Sequence, residues 1–167
     1  MNYKEFIRDV PNFPIEGVLF RDVSPLLANA KVFSQVAVDF SKLIDLKSVD
    51  LFVGIESRGF IFAAQMAAKF NKGFLPLRKA GKLPPPVIQE SYALEYGQAT
   101  LEIAPSAKKL NVVICDDVLA TGGTLKASIS LCEKAGYIVS DVLVLINLTF
   151  LNQMKFENEP VKSLIHY

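Results

Sequence analysis

The stretch VVICDDVLATGGTL, residues 112–125, joins a run of apolar residues to two adjacent aspartates and a Thr-Gly-Gly-Thr turn. The apolar run predicts a buried strand, and the residues from Gly123 onward predict a helix. Backbone N–H groups at the start of such a helix suit an anion such as phosphate. Asp116 and Asp117 repel each other unless a cation or hydroxyl groups bridge them. The stretch therefore predicts a site for a ligand that carries both a phosphate and hydroxyl groups.

Strands alternate with helices on both sides of this stretch. Short apolar runs at 51–56, 74–78 and 139–149 predict strands, and apolar residues at helical spacing predict helices over 29–46 and 58–70. The alternation predicts an α/β fold with a doubly wound, mostly parallel central sheet and helices on both faces. Further predictions are a short helix over 2–10, an irregular segment up to Pro25, a long loop over 79–90, a hairpin about Gly97 and Gln98, and a strand over 161–167.

Ligands bind such sheets at the carboxyl ends of the parallel strands. We therefore expect one crevice to be formed by Glu56, Ser57 and Arg58, by Arg78 and Lys79, by Asp116 and Asp117, and by the turn after Asn147.

Composition limits the classes of function. The length of 167 residues predicts a single domain, and the formal net charge of +1 gives no overall attraction to nucleic acid or to an anionic membrane. Residues 51–90, however, carry six lysines and arginines against two glutamates, which favours an anionic small molecule. The start of the chain lacks the pattern of a signal peptide, no apolar run is long enough to span a membrane, and Cys115 and Cys132 lack metal-site spacing. These features predict a cytoplasmic protein with no membrane or nucleic-acid partner.

The quoted stretch resembles the phosphoribosyl diphosphate (PRPP) signature of the type I phosphoribosyltransferases. Four other segments, FPIEGVLFRDVSPLL (13–27), GIESRGFIF (54–62), LRKAGKLP (77–84) and ESYALEYG (90–97), are similar to those of adenine phosphoribosyltransferases and occur in the same order. The resemblance covers nearly the whole chain. It implies a type I phosphoribosyltransferase-like fold with a small hood at about 1–28 and a mobile loop and hairpin at about 79–98. It also implies a homodimer that makes AMP and pyrophosphate from adenine and PRPP, with Mg²⁺ bound mainly through PRPP, pyrophosphate and water rather than at a metal site of the protein.

The resemblance also implies roles for individual residues. Glu95 would be the catalytic group that acts on N7 of adenine. The residues for the phosphate and ribose of PRPP or AMP would be Asp116, Asp117, Ala120, Thr121, Gly122, Gly123 and Thr124. Pyrophosphate would contact Ser57, Arg58, Arg78, Lys79 and Lys82. The peptide bond before Ser57 would be cis, and Arg78 would reach the neighbouring subunit. Adenine would lie between Phe20 and Val118, and the main chain of Leu19 and Arg21 would read its edge.

Other interpretations stay open at this point. From the residues alone, Glu95 reads as one polar position of a hairpin strand, the basic loop as a solvated segment, Phe20 as a core residue and His166 as structural. Ala80 stands where the family commonly has proline, and the Pro run at 84–86 replaces a more polar stretch, which leaves the effect on loop closure open. Two rival functions are transfer to a 6-oxopurine or pyrimidine base, and a non-catalytic regulator that senses PRPP and binds nucleic acid. The net charge of +1 disfavours the regulator.

Overall fold

A seven-stranded sheet forms the centre of the computed structural model, which describes residues 1–93 and 97–167. The helices are a 3-10 helix over Tyr3–Phe6, α1 (Ser24–Ala28), α2 (Ala30–Ser41), α3 (Gly59–Phe70) and α4 (Gly123–Lys134). The strands are β1 (Arg8–Pro11), β2 (Leu19–Asp22), β3 (Leu51–Ile55), β4 (Gly73–Lys79), β5 (Ile88–Ala93), β6 (Gln98–Ile103), β7 (Asn111–Leu119), β8 (Ile138–Asn147), β9 (Lys155–Phe156), β10 (Glu159–Pro160) and β11 (Lys162–His166).

The strands of the central sheet lie in the order β11-β8-β7-β3-β4-β6-β5. The five strands from β11 to β4 are parallel, and the hairpin of β5 and β6 adds an antiparallel edge beside β4. The predicted mostly parallel sheet is confirmed. Because the parallel strands all point the same way, the ends of β3, β4 and β7 come together at one edge of the sheet.

Each face of the sheet is covered by its own helices. Successive side chains of a strand point to opposite faces, and in β7 the residues Val113 and Cys115 join a core cluster with α1, α2 and α3, whereas Val112 and Ile114 join a second cluster with α4. Both cysteines of the chain are buried free thiols. The prediction of helices on both faces is therefore confirmed.

The N-terminal segment differs from its prediction as a helix. Residues 3–6 form a single 3-10 turn, and the chain then extends as β1, which pairs antiparallel with β2. An ion pair of 2.7 Å between Arg8 and Asp22 links the two strands, and Arg21 pairs with Asp9. Proline at position 11 also cannot continue a helix, since its ring clashes with the preceding turn. Cross-strand pairing with β2, from Arg8 opposite Asp22 to Pro11 opposite Leu19, has overridden the local helical spacing.

The basic loop is shorter than predicted. The turn after β4 spans residues 80–87, and residues 88–90, predicted as loop, form the start of β5 (Ile88–Ala93). Partly buried positions alternate with exposed ones along β5, and the strand pairs with β6 from Ile88 to Ala93. The predicted hairpin is thus confirmed for the described residues. Helix α2 ends at Ser41 instead of residue 46, whereas the other helix and strand predictions agree to within a few residues.

None of the helices within residues 1–93 and 97–167 is long and apolar enough to cross a membrane.

Candidate active site

A cleft of about 480 Å³ opens where β3, β4 and β7 end. Three of the four predicted strand ends contribute to it. Within residues 1–93 and 97–167, the turn after Asn147 is not part of the cleft lining. It contacts the loop that follows β7, since Asn152 donates a hydrogen bond to the carbonyl of Ala120 (2.8 Å). The cleft is lined by Ile55, Glu56, Ser57, Arg58, Lys79, Tyr92, Ala99, Asp116, Asp117, Val118 and Thr124.

The segment 120–124, which consists of the loop after β7 and the first two residues of α4, has the shape of an anion cradle. It lines a smaller adjoining cavity of about 90 Å³ together with Asp116 and Val118. Gly122 has a φ of +88°, which favours glycine, and a side chain there would come within 3.0 Å of Met154 Sδ. The loop leads directly into α4, so the free N–H groups and the positive end of the helix dipole lie at this cavity. The loop can therefore bind a phosphate group.

Asp116 and Asp117 lie together at the end of β7. Removal from water raises the pKa of both carboxyl groups, and repulsion from Asp117 raises that of Asp116 further, whereas the Arg58 guanidinium opposes the rise at Asp117. Arg58 approaches Asp117 Oδ2 as an ion pair, but that buried oxygen accepts no hydrogen bond of acceptable geometry. A buried carboxylate with an unused acceptor is costly. The pair can therefore gain stability from a ligand that donates hydroxyl groups.

A basic cluster of Arg78, Lys79 and Lys82 surrounds Glu56; Glu56 and Lys79 line the cleft with the two aspartates, whereas Arg78 and Lys82 are not among its lining residues. The Glu56 carboxylate accepts from Lys82 Nζ (2.6 Å), from the backbone N–H of Lys79 (2.9 Å) and from Arg78 Nε (3.3 Å). The hydrogen bond from Lys82, with help from the other two, outweighs burial and lowers the pKa of Glu56 to about 2. The peptide bond between Glu56 and Ser57 is cis. Arg78, Lys79 and Lys82 are thus grouped beside Ser57, as the sequence predicts.

The residues predicted to hold a base are not assembled around one space. Val118 lines the 480 Å³ cleft, whereas Phe20 lines a second cavity of about 510 Å³ with Phe13, and Arg58 borders both. The Arg58 guanidinium lies 5.1 Å from the centre of the Phe20 ring. The side chain of Arg21 stacks on another ring, 3.7 Å from the centre of Tyr167. Enclosure of a base by Phe20 and Val118 stays a prediction.

Glu95, the predicted catalytic residue, lies outside the described residues. Tyr92 on β5, three positions earlier in the sequence, lines the cleft and accepts a hydrogen bond from the Thr124 hydroxyl (3.3 Å). Sequence reasoning assigned no role to Tyr92, although it falls in one of the segments that carry the resemblance. It placed Glu56 in the crevice but did not predict that this carboxylate accepts hydrogen bonds from Arg78, Lys79 and Lys82. It missed Asn152, because the sequence around that residue contains no recognisable motif.

Comparison with known proteins identifies the family. A family model described as the phosphoribosyl transferase domain matches residues 22–147. The adenine phosphoribosyltransferase of Bdellovibrio bacteriovorus is 60% identical over 167 residues, which cover 100% of both chains. The crystal structure of adenine phosphoribosyltransferase from Thermoanaerobacter pseudethanolicus is similar with a TM-score of 0.91 at 41% identity, and it covers 98% of this chain and 97% of that chain.

A further similar structure contains ligands. Adenine phosphoribosyltransferase from Saccharomyces cerevisiae, in complex with D-2,5-dideoxy-2,5-imino-altritol 1,6-bisphosphate and adenine, has a TM-score of 0.88 at 36% identity and covers 96% of this chain and 94% of that chain. The family model thus covers most of the chain, and the relative and the two structures each cover 96% or more of it. The chain therefore belongs to the phosphoribosyl transferase domain family, among the adenine phosphoribosyltransferases, and has the type I phosphoribosyltransferase fold.

Proposed function

We propose that this protein is an enzyme that transfers the 5-phosphoribosyl group of PRPP to N9 of adenine, which forms AMP and releases pyrophosphate. The observation that carries the proposal is the cleft at the ends of β3, β4 and β7. The start of α4, the carboxylates of Asp116 and Asp117, and the basic side chains of Arg58 and Lys79 meet there, which supports binding of the 5-phosphate, the ribose hydroxyl groups and the diphosphate of PRPP.

The 5-phosphate is expected to accept hydrogen bonds from the N–H groups of residues 120–124, with the hydroxyl groups of Thr121 and Thr124 as further donors. Asp116 and Asp117 are expected to accept from the ribose 2- and 3-hydroxyls. As the bond to pyrophosphate breaks, the sugar develops the positive charge of an oxocarbenium ion. Negative carboxylates fixed beside that sugar stabilise the charge without having to reorganise.

Pyrophosphate is expected to leave toward Ser57, Arg58, Arg78, Lys79 and Lys82, whose positive charges stabilise it. Mg²⁺ fits the same cleft, because the carboxylates of Asp116 and Asp117 line it and can accept hydrogen bonds from hydroxyl groups or waters bound to the ion. Held mainly by PRPP, pyrophosphate and water, near Asp116 and Asp117, the ion would neutralise charge on the leaving diphosphate.

The base is expected to lie between Phe20 and Val118, with the main chain of Leu19 and Arg21 at its edge. Because Arg58 now lies between the two cavities, the proposal requires the hood, residues 1–28, or Arg58 to shift when the base enters. Glu95 would then act on N7 as a general acid. Closure of the loop and hairpin, residues 79–98, would exclude water from the sugar cation. The proposal includes a cytoplasmic homodimer built from single-domain subunits, with Arg78 of one subunit near the other.

The decisive experiment measures formation of AMP from radiolabelled adenine with PRPP and Mg²⁺. We expect AMP and pyrophosphate in equal amounts, and a loss of activity in Asp116→Asn. Asp141→Asn is the matched control: it makes the same chemical change on β8, opposite Val113, where Asp141 pairs with Lys162 away from the cleft. If wild-type protein forms no nucleotide from adenine but does so from hypoxanthine, guanine or a pyrimidine, the choice of base is wrong. If no base reacts, the enzymatic proposal fails.

A further inference from the structure

Glu102 on β6 is a buried carboxylate to which the proposed chemistry gives no role. Its side chain is only 1% exposed, although carboxylates are rarely buried without partners. In the sheet it lies between Arg78 of β4 and Gln89 of β5. Gln89 donates to Oε2 at 3.1 Å, which leaves Oε1 directed at the turn that follows β4.

Lys79, the last residue of β4, and the first four residues of the turn, 80–83, together form a segment that we call the basic turn. The basic turn wraps around this oxygen. The backbone N–H groups of Lys82 and Leu83 both donate to Glu102 Oε1 at 2.6 Å. The backbone N–H of Ala80 donates to the carbonyl of Thr100, which lies two residues before Glu102 on β6 (2.9 Å). Successive backbone N–H groups around one anion form a nest of the kind that elsewhere binds phosphate. Here the chain's own carboxylate fills the nest and ties the turn to β6.

The side chains of the turn are held differently from its backbone. Lys82 Nζ reaches Glu56 in the cleft, and Arg78 donates to the carbonyl of Lys82 (3.2 Å). An incoming diphosphate can compete with Glu56 for the lysine, because that contact lies at the cleft. It cannot compete for the N–H groups of Lys82 and Leu83, because these already bind a buried carboxylate. The backbone of the turn therefore keeps its position while its side chains exchange one anion for another.

We propose that Glu102 is a positioning residue that fixes the backbone of the basic turn, so that Lys79 and Lys82 meet the diphosphate of PRPP and the pyrophosphate product. The inference rests on the proposed function. It predicts an effect confined to the ligands that carry a diphosphate, because the base and the 5-phosphate bind to other elements.

The test compares Glu102→Ala and Glu102→Gln with the wild-type enzyme. Glu102→Ala should raise KM for PRPP, and for pyrophosphate in the reverse reaction, by about tenfold or more, as expected when hydrogen bonds to a charged acceptor are lost. KM for adenine should not change. Glu102→Gln should give a smaller rise, because its amide oxygen still accepts from Lys82 and Leu83. Asp141→Asn is the control: it removes a charge from another strand of the sheet, where Asp141 pairs with Lys162 away from the cleft, and should leave all three constants unchanged.

The inference would be overturned if Glu102→Ala kept wild-type KM values for PRPP and pyrophosphate. It would also be overturned by an equal rise in the KM values for PRPP, pyrophosphate and adenine, which indicates a general structural defect. If Glu102→Ala does not fold, Glu102→Gln decides by the same criteria. If the wild type forms no AMP, the proposed function fails separately. The contact is then tested by trypsin, which should cleave after Lys82 faster in the Glu102 variants than in Asp141→Asn; equal rates would refute it.

Discussion

Replacement of Gly59 with alanine should disturb the packing of α3 against β7 and thereby displace residues of the cleft. Gly59 begins α3, which packs directly on β7. An added Cβ would lie 2.5 Å from the carbonyl oxygen of Cys115, 3.1 Å from Asp116 Oδ1 and 3.2 Å from Asp116 Cα. The nearest of these atoms belongs to the backbone of a central strand, so no rotation of a side chain can relieve the clash. The start of α3 must move away from the end of β7.

The size of the effect follows from these distances. Carbon and oxygen atoms in close contact lie at about 3.3 Å or more, so the helix start must move by roughly 0.8 Å. Overpacking of this kind costs about 1–3 kcal/mol of unfolding free energy. The same movement shifts Arg58, which precedes the helix, relative to Asp117. Because a displacement of about 1 Å at reacting groups costs roughly 10²-fold in rate, we expect kcat/KM for PRPP to fall by that order.

Urea unfolding and steady-state kinetics measure the two effects separately. Gly136→Ala is the control, because Gly136 follows the C-terminal end of α4, whereas the phosphate-binding loop lies at the N-terminal end. Gly136 has a φ of +92°, and a Cβ there would lie 3.3 Å from the carbonyl oxygen of Ser106. It should lose about 1–2 kcal/mol through backbone strain and keep wild-type kcat/KM. The reasoning is refuted if Gly59→Ala matches the wild type in both assays, or if both variants lose the same fraction of kcat/KM.

Further predictions concern ligands, catalysis and pH. PRPP with Mg²⁺ should raise the melting temperature, since a ligand at 100 times its Kd stabilises the native state by about 2.7 kcal/mol; an unmoved melting temperature at millimolar PRPP would contradict the proposed site. Glu95→Gln should lower kcat far more than it weakens PRPP binding, whereas Asp116→Asn should harm both; near-normal turnover of Glu95→Gln would show that Glu95 is not the acid. Adenine should exceed hypoxanthine and guanine in kcat/KM by roughly 10⁴-fold, because main-chain donors and acceptors in the hood cannot be exchanged; comparable values would refute that account of the base site. Burial raises the pKa of Asp39, but hydrogen bonds from Lys42 and Tyr3 outweigh it and bring the pKa to about 2. The stability contributed by Asp39 should therefore be complete above pH 3.8 and lost as the pH falls toward 2, so urea unfolding of Asp39→Asn and the wild type should differ at pH 6 and converge at the acid end.

Local sequence predicted the part of the site that is contiguous in the chain. In residues 112–125 the strand, the paired aspartates, the glycine turn and the helix follow one another directly, and the structure has them as β7, the loop after it and α4, which begins at Gly123. Apolar spacing also identified β3, α3 and β4, and hence the edge of the sheet at which the cleft opens. Each of these features depends on the conformation of neighbouring residues, which composition and periodicity report.

Tertiary structure alone decided the features that depend on pairing between distant segments. Residues 2–10 have helical spacing, yet Arg8–Pro11 forms a strand because β2 supplies its partner. Residues 88–90 resemble loop until β6 pairs with them. Glu102 reaches the basic turn across 19 and 20 residues of sequence, and Asn152 reaches the phosphate-binding loop across 32. A carboxylate or an amide has the same local signature whether it is solvated or buried against backbone N–H groups, so only the register and packing of the folded chain distinguish the two.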